Sequence, residues 1–220
     1  MSASYTYRDM TGLTKFLTTL LWIGAALGAV AVLSSALEFE LLTRENISQA
    51  EAEANDTRQQ IVGLVQVAVY LLTVVIFARW IYRANQNVRA IGAQGLRITP
   101  GWAVGYFFVP VICLWRPYQA MKDLWRASQN PASWVGVAPG SILGLWWTLW
   151  IASNVLGQMT FRTMMHAQEI EGLKFATIVQ ILSDAVDIPL CIVALTLVAQ
   201  VVRGQNAYVV APKQAPAEQG

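Results

Sequence analysis

The sequence predicts an all-α membrane protein with four transmembrane helices, a short re-entrant or interfacial segment, and an amphipathic helix on the cytoplasmic side. Three observations predict it. Of 220 residues, 55% are hydrophobic and 13% charged, whereas soluble domains carry about a quarter charged residues. Four apolar runs are long enough to cross a hydrocarbon core about 30 Å thick. A fifth run, Trp102 to Trp115, lies between Arg97 on one side and Arg116, Lys122 and Arg126 on the other. As a helix it would cover only about 21 Å, and Pro110 interrupts it.

The elements follow in order. The first span is Phe16–Leu37, about 22 residues, longer than the roughly 7–15 of a signal-peptide core, so a retained helix is expected. The connection Glu38–Gln60 is polar, acidic and free of Gly and Pro, which predicts partial helix. The second span is 61–82, the third 140–160, and the fourth 175–202, broken by Asp184, Asp187 and Pro189. Segment 102–115 is read as non-spanning, re-entrant or surface-lying. Residues 116–128 form the amphipathic helix, with Pro117 suited to its first turn. Residues 1–210 make one membrane domain. The Pro- and Ala-rich tail 211–220 is expected to be disordered.

Charge sets the orientation. Eleven of the fifteen Lys and Arg residues fall on the side holding both termini, the 79–100 region and the 116–134 region; only Arg44, Arg58, Arg162 and Lys174 fall opposite. The positive-inside rule then puts both termini in the cytoplasm. A fifth span would move the Arg116–Arg126 cations outside and weaken this bias. Trp22, Trp80, Trp102, Trp115, Trp125 and Trp134 fall near the same inner interface, a zone that suits an apolar ring with a polar N–H. Asn46-Ile-Ser48 and Asn55-Asp-Thr57 are acceptor sequons on the outer side.

Two groups of residues carry candidate chemistry. In 116–128, Tyr118, Met121, Leu124 and Trp125 recur on one face, and Gln119, Lys122, Asp123 and Arg126 on the other. That pattern fits a helix in the headgroup plane, a helix packed on the protein's own inner side, or a partner-binding helix. In the fourth span Gln180, Asp184 and Asp187 share one stripe, and Gln66, Asn154 and Gln158 lie at similar depth. A charged Asp at mid-membrane costs roughly 2.5–3.5 kcal/mol on insertion scales. These six residues therefore predict either a site for a cation, proton or small polar ligand, or a hydrogen-bonded structural cluster. Gly24 with Gly28, and Gly140 with Gly144, are candidates for close helix packing, within the chain or between copies.

Other classes are disfavoured. Asp184 and Asp187 sit on one helix, unlike a protease dyad on facing helices. His166 is the only histidine and has no nucleophile beside it, so no enzyme is expected. Met159, Met164, Met165 and His166 have soft donors that suit Cu(I), but an apolar turn accounts for them; no metal and no cofactor is expected. No phosphate-cradling glycine loop or zinc spacing occurs. Cys113 and Cys191 lie in apolar runs and read as buried small hydrophobes. The net charge of +2 gives no basis for nucleic-acid binding.

The central motifs carry a resemblance. Arg83-Ala-Asn-Gln-Asn87, then Pro100-Gly-Trp-Ala-Val-Gly-Tyr-Phe-Phe-Val-Pro110, then Leu114-Trp-Arg-Pro-Tyr-Gln-Ala-Met-Lys122 follow one another in the order and spacing of a bacterial membrane family. The chain resembles the domain of unknown function 4328 family over about Tyr7 to Arg203. It departs at Gln86, where Arg is expected, and at Val111-Ile-Cys113, where a small polar residue is expected. The resemblance implies a bacterial inner-membrane location and no activity. It also implies that Arg83, Asn85, Asn87, Pro100, Trp102, Pro110, Trp115, Arg116, Pro117, Tyr118 and Gln119 act as one cytoplasmic-side unit. That unit would clamp a lipid headgroup or a partner's anionic group, or staple the fold, with Asn side chains capping helix ends.

The functional expectation is a non-enzymatic module that binds membrane lipids, a protein partner or a second copy of itself through its inner face. The binding residues would be Arg83, Asn85, Asn87, Trp102, Trp115, Arg116, Tyr118, Gln119, Lys122 and Arg126. The alternative is a small transporter or proton- or ion-conducting protein that uses the polar stripe.

Overall fold

The structure, a computed structural model, describes residues 5–167 and 169–210. The tail expected to be disordered, 211–220, lies outside the described residues. Among the described residues six α-helices follow one another: α1 (Thr11–Leu42), α2 (Gln49–Ala90), α3 (Pro100–Gly105), α4 (Arg116–Gln129), α5 (Ser141–His166) and α6 (Ile170–Val210). Short 3-10 turns occupy Tyr106–Phe108, Ile112–Leu114 and Trp134–Gly136. No strand occurs among the described residues.

Among the described residues three helices are long and apolar enough to cross a membrane: α1, α2 and α6. The third expected span does form a helix, α5, of 26 residues. Trp146, Trp147, Trp150, Asn154 and Gln158 dilute its apolar character, and it falls outside that group of three. Helices run past the apolar runs that seed them. α2 has 42 residues, about 63 Å at 1.5 Å per residue, because its N-terminus starts in the acidic connection. There Ser48 and Glu51 form a capping box: the Ser48 amide donates to the Glu51 carboxylate at 3.0 Å, and the Glu51 amide donates to Ser48 Oγ at 3.3 Å. α6 runs through Pro189 and on to Val210.

The chain forms two compact units. One holds residues 15–77 and 144–196, that is, parts of α1, α2, α5 and α6. Glycines let α1 meet α6: a Cβ on Gly24 would lie 3.3 Å from Cys191 Sγ, and one on Gly28 3.0 Å from Ile188 Cγ1. The first small-residue pair thus serves packing within the chain. The apolar stretch of α2 buries no residue and leaves Ile61, Leu64, Val67, Leu71 and Val75 exposed, a surface apolar enough to face lipid. Toward the α1–α2 connection, Glu38, Gln59, Asn55, Arg58 and Ser34 form a hydrogen-bonded network.

The other unit holds residues 1–14, 78–143 and 197–220, of which 5–14, 78–143 and 197–210 are described. α4 is its core. Met121, Leu124 and Ala127 are fully buried, together with Trp80, Ile81 and Val88 of α2 and Leu197, Val198 and Val201 of α6. A Cβ on Gly204 of α6 would lie 2.4 Å from the Ser128 carbonyl oxygen, so only glycine allows this approach of α6 to α4. Trp80 and Trp134 are buried and donate to Thr14 Oγ1 at 3.2 Å and to the Gln94 carbonyl at 2.8 Å. They are core residues, a correction to the expected ring of interfacial tryptophans; Trp22, Trp102 and Trp115 are exposed.

Candidate functional site

The residues of all three signature motifs lie in the α4-centred unit, and the fold gives them different tasks. α2 ends at a glycine turn: Gly92 takes φ +111°, and the Ala93 amide bonds the Val88 carbonyl at 2.9 Å. Arg89 then reaches forward to the Ile98 carbonyl at 2.6 Å, and Thr99 caps α3, with Pro100 in its first turn. This fixes Arg97 and Ile98 beside α4.

Segment 102–115 is no continuous helix. α3 spans six residues, about 9 Å, and the chain then winds through two 3-10 turns. Between them Val111 takes φ +67° and ψ −51°, and the Ile112 amide bonds the Pro110 carbonyl at 2.7 Å. This is a γ-turn of the rare positive-φ form, strained for a β-branched residue. Its side chains point outward: Phe108 is 68% exposed and Val111 66%, and Trp102, Leu114 and Trp115 are exposed beside them. Trp102 stacks on Tyr106 at 5.1 Å between ring centroids, and Arg116 lies 5.7 Å from the Tyr106 centroid.

Behind this ridge a small cavity of about 80 Å³ is lined by Arg97, Ile98, Arg116, Gln119, Lys122 and Asp123. Residues 116, 119 and 123 recur at i, i+3 and i+7, so α4 presents them on one stripe. Arg116 donates to Gln119 Oε1 at 3.4 Å, and the Lys122 ammonium sits 5.7 Å from the Tyr118 ring centroid. Asp123 is 4% exposed, and its Oδ1 has no hydrogen-bond partner. Burial pushes its carboxyl above the usual carboxylate range, and Arg97, Lys122 and Arg126 only partly oppose the shift. Among the described residues the ion pairs are Arg44 with Glu40 and Glu51, and Lys174 with Glu171. None involves a cation of this cavity.

The expected binding residues therefore separate. Arg116, Gln119 and Lys122 line the cavity, Tyr118 flanks it, and Trp102 and Trp115 form the exposed ridge. Arg126 has a buried Nε without a partner, and Arg83 bonds Gln86 at 3.2 Å. Asn85 is buried and donates to the Ile81 carbonyl at 3.0 Å. Asn87 is buried and holds the backbone of Arg8. Both side chains are thus engaged with the fold's own backbone. The apolar face of α4 is also placed otherwise than a headgroup-plane helix requires, because protein covers Met121 and Leu124. Sequence reasoning missed the role of Asp123, which looked like a solvated polar-face residue; its signal was an acid set among cations on one helical stripe.

The expected polar cluster also separates, within the α1–α2–α5–α6 unit. Gln66 and Gln180 donate to the two carboxylate oxygens of Asp184 at 2.9 and 2.8 Å. Asp187 accepts from Ser153, at 2.6 Å, a partner the spacing did not reveal. Asn154 and Gln158 are exposed, and Asn154 returns its amide to the Trp150 carbonyl at 2.7 Å. Among the described residues no group of three or more His, Cys, Asp or Glu side chains is placed to hold a metal ion.

Fold and site together define an all-helical protein with membrane-length apolar helices and a cation-lined cavity beside an exposed apolar ridge. The chain belongs to the family described as Domain of unknown function (DUF4328), whose profile matches residues 43–203. No curated protein and no solved structure matches it.

Proposed function

We propose that this is a non-enzymatic bacterial inner-membrane protein with four spans, α5 included, and both termini in the cytoplasm, which engages anionic lipid through its α3–α4 region. The observation that carries the reading is the ridge of Trp102, Phe108, Val111, Leu114 and Trp115, exposed on irregular backbone and flanked by Arg97 and Arg116. Irregular backbone facing lipid is not tolerated in the hydrocarbon core. The segment therefore belongs at headgroup depth, where indole rings anchor and cations meet anionic lipid at about 1 kcal/mol each. The strained γ-turn fits that role. Glycine would relieve the backbone at 111 but would remove an apolar side chain from the tip.

Nitroxide labels test the placement. Val111→Cys and Leu114→Cys, with Cys113 and Cys191 replaced, are labelled in proteoliposomes with and without phosphatidylglycerol. Both labels should be relaxed more by oxygen than by a water-soluble nickel chelate, and the more so with anionic lipid. Water-like accessibility at both positions would refute the reading.

A second reading rests on Asp184, a buried acid with an amide on each carboxylate oxygen. A small transporter or proton conductor would use Asp184 and Asp187 as its carrier groups. Asp184→Asn with Asp187→Asn should then abolish proton leak in proteoliposomes. Unchanged leak in a folded double variant would leave the cluster a structural one.

A further inference from the structure

The cavity behind the ridge has features that lipid-surface attraction alone does not need. Three cations from two chain segments converge on one concave spot: Arg97 from the α2–α3 connection, and Arg116 and Lys122 from α4. None of them has an ion-pair partner among the described residues. Diffuse attraction to a membrane surface asks only for exposed charge. Here an almost fully buried acid, Asp123, also lines the spot. At about 80 Å³ the cavity is far below the roughly 300–1,000 Å³ of drug-sized sites, and suits a compact polar group.

We propose that Arg97, Arg116, Lys122 and Gln119 form a binding site for a phosphomonoester, with Asp123 beside them. Charge selects the monoester. Three cations and one carboxylate leave the site at +2, and a monoester carries about −1.5 to −2 at neutral pH, whereas a phosphodiester carries −1. The two guanidinium forks supply planar donor pairs to phosphate oxygens, and Lys122 acts as a point charge. Gln119 adds a neutral donor once its Oε1 is held by Arg116. The same chemistry is offered by a lipid with a terminal phosphate and by free phosphate. This proposal deepens the lipid-docking reading and rests on it only for the lipid source.

The test has two arms. In detergent, the full chain is titrated with inorganic phosphate by calorimetry. In nanodiscs, spin-labelled phosphatidate is compared with phosphatidylglycerol for retention beside the protein. Phosphate should bind in detergent. Arg97→Ala and Arg116→Ala should each weaken it by about tenfold or more, the loss of roughly 1.4 kcal/mol or more. Arg116→Lys should fall between, and Asp123→Asn, which removes the one negative charge, should tighten it about several-fold. Circular dichroism and melting identify any variant that fails to fold, in which case the paired variant at the other arginine decides. Phosphate binding together with preferred phosphatidate retention supports the site with a lipid source. Phosphate binding without phosphatidate preference supports the site with a soluble source, and counts against its use in lipid docking. No phosphate binding in detergent, or binding unchanged in both alanine variants, overturns the site whatever the nanodiscs and the labels at Val111 and Leu114 report.

Discussion

Asn87 grips Arg8 by both edges of its backbone. Its Oδ1 accepts from the Arg8 amide at 3.0 Å, and its Nδ2 donates to the Arg8 carbonyl at 2.8 Å. Asn87 is fully buried, so neither bond exchanges readily with water. Replacement by Ala removes both bonds, each a net contribution of about 0.5–1.5 kcal/mol. Asn87→Ala should therefore lower the melting temperature and speed tryptic cleavage after Arg8. Asn87→Asp keeps the acceptor and loses the donor, and should fall between. A cleavage rate unchanged in the alanine variant would mean that the clasp does not hold the N-terminal segment.

That clasp also shows where the sequence stops speaking. Asparagines at 85 and 87 read equally well as ligand donors or as staples, and for Asn87 the deciding partner lies 79 residues away. The four long helices were legible because apolar runs set them. Their extra turns were not, since they rest on capping such as Ser48 with Glu51 and on packing. The break in 102–115 was legible from its length and Pro110; the γ-turn at Val111 was not, because valine rarely takes positive φ. Asn154 and Gln158 matched Asp184 in depth by residue counting, but depth does not fix the rotation of one helix against another. Ser153, one residue from Asn154, is the side chain that meets Asp187.

Gly204 bears on the packing of the α4-centred unit. A methyl at this position would sit 2.4 Å from the Ser128 carbonyl oxygen and 2.9 Å from its carbon, both backbone atoms that cannot swing aside. Gly204→Ala should destabilise the protein by about 1–3 kcal/mol, the range of overpacked sites. Gly144 is the control, because nothing lies within 4 Å of its added Cβ. Gly144→Ala should be neutral, or stabilising by up to about 1 kcal/mol through helix propensity. Thermal melting in detergent separates the two; equal melting shifts would show that α4 and α6 relax apart without cost.

Asp123 gives the fold a pH dependence with a definite sign. Burial raises its carboxyl pKa in the folded protein above the unfolded value, which is about 3.9. Between those two values the folded state binds more protons than the unfolded state. Stability is therefore fullest below the unfolded value and falls as pH climbs toward the raised folded one. Asp123→Asn removes the titration. Its melting temperature should exceed the wild type's at pH 7, with the gap closing as pH falls toward 4. A gap that stays constant across that range would show that the asparagine acts through packing rather than through charge.

The two sequons between α1 and α2 offer a test of orientation with an internal control. Asn46 is exposed, in the connection just past the end of α1. Asn55 is buried, donates to Glu38 at 3.4 Å and accepts from Arg58, so its amide is committed to the α1–α2 network. When the chain is translated into microsomes that glycosylate luminal asparagines, the proposed topology puts both sequons on the lumenal side. Asn46 should be modified and Asn55 spared, because a transferase needs a free side-chain amide and Asn55 offers none in the folded protein. Ser34→Ala with Glu38→Ala strips hydrogen bonds from that network, and should raise modification at Asn55 without changing Asn46. No modification at Asn46, together with modification of a sequon engineered into residues 211–220, would invert the topology and place the cavity of Arg97, Arg116 and Lys122 on the outer face.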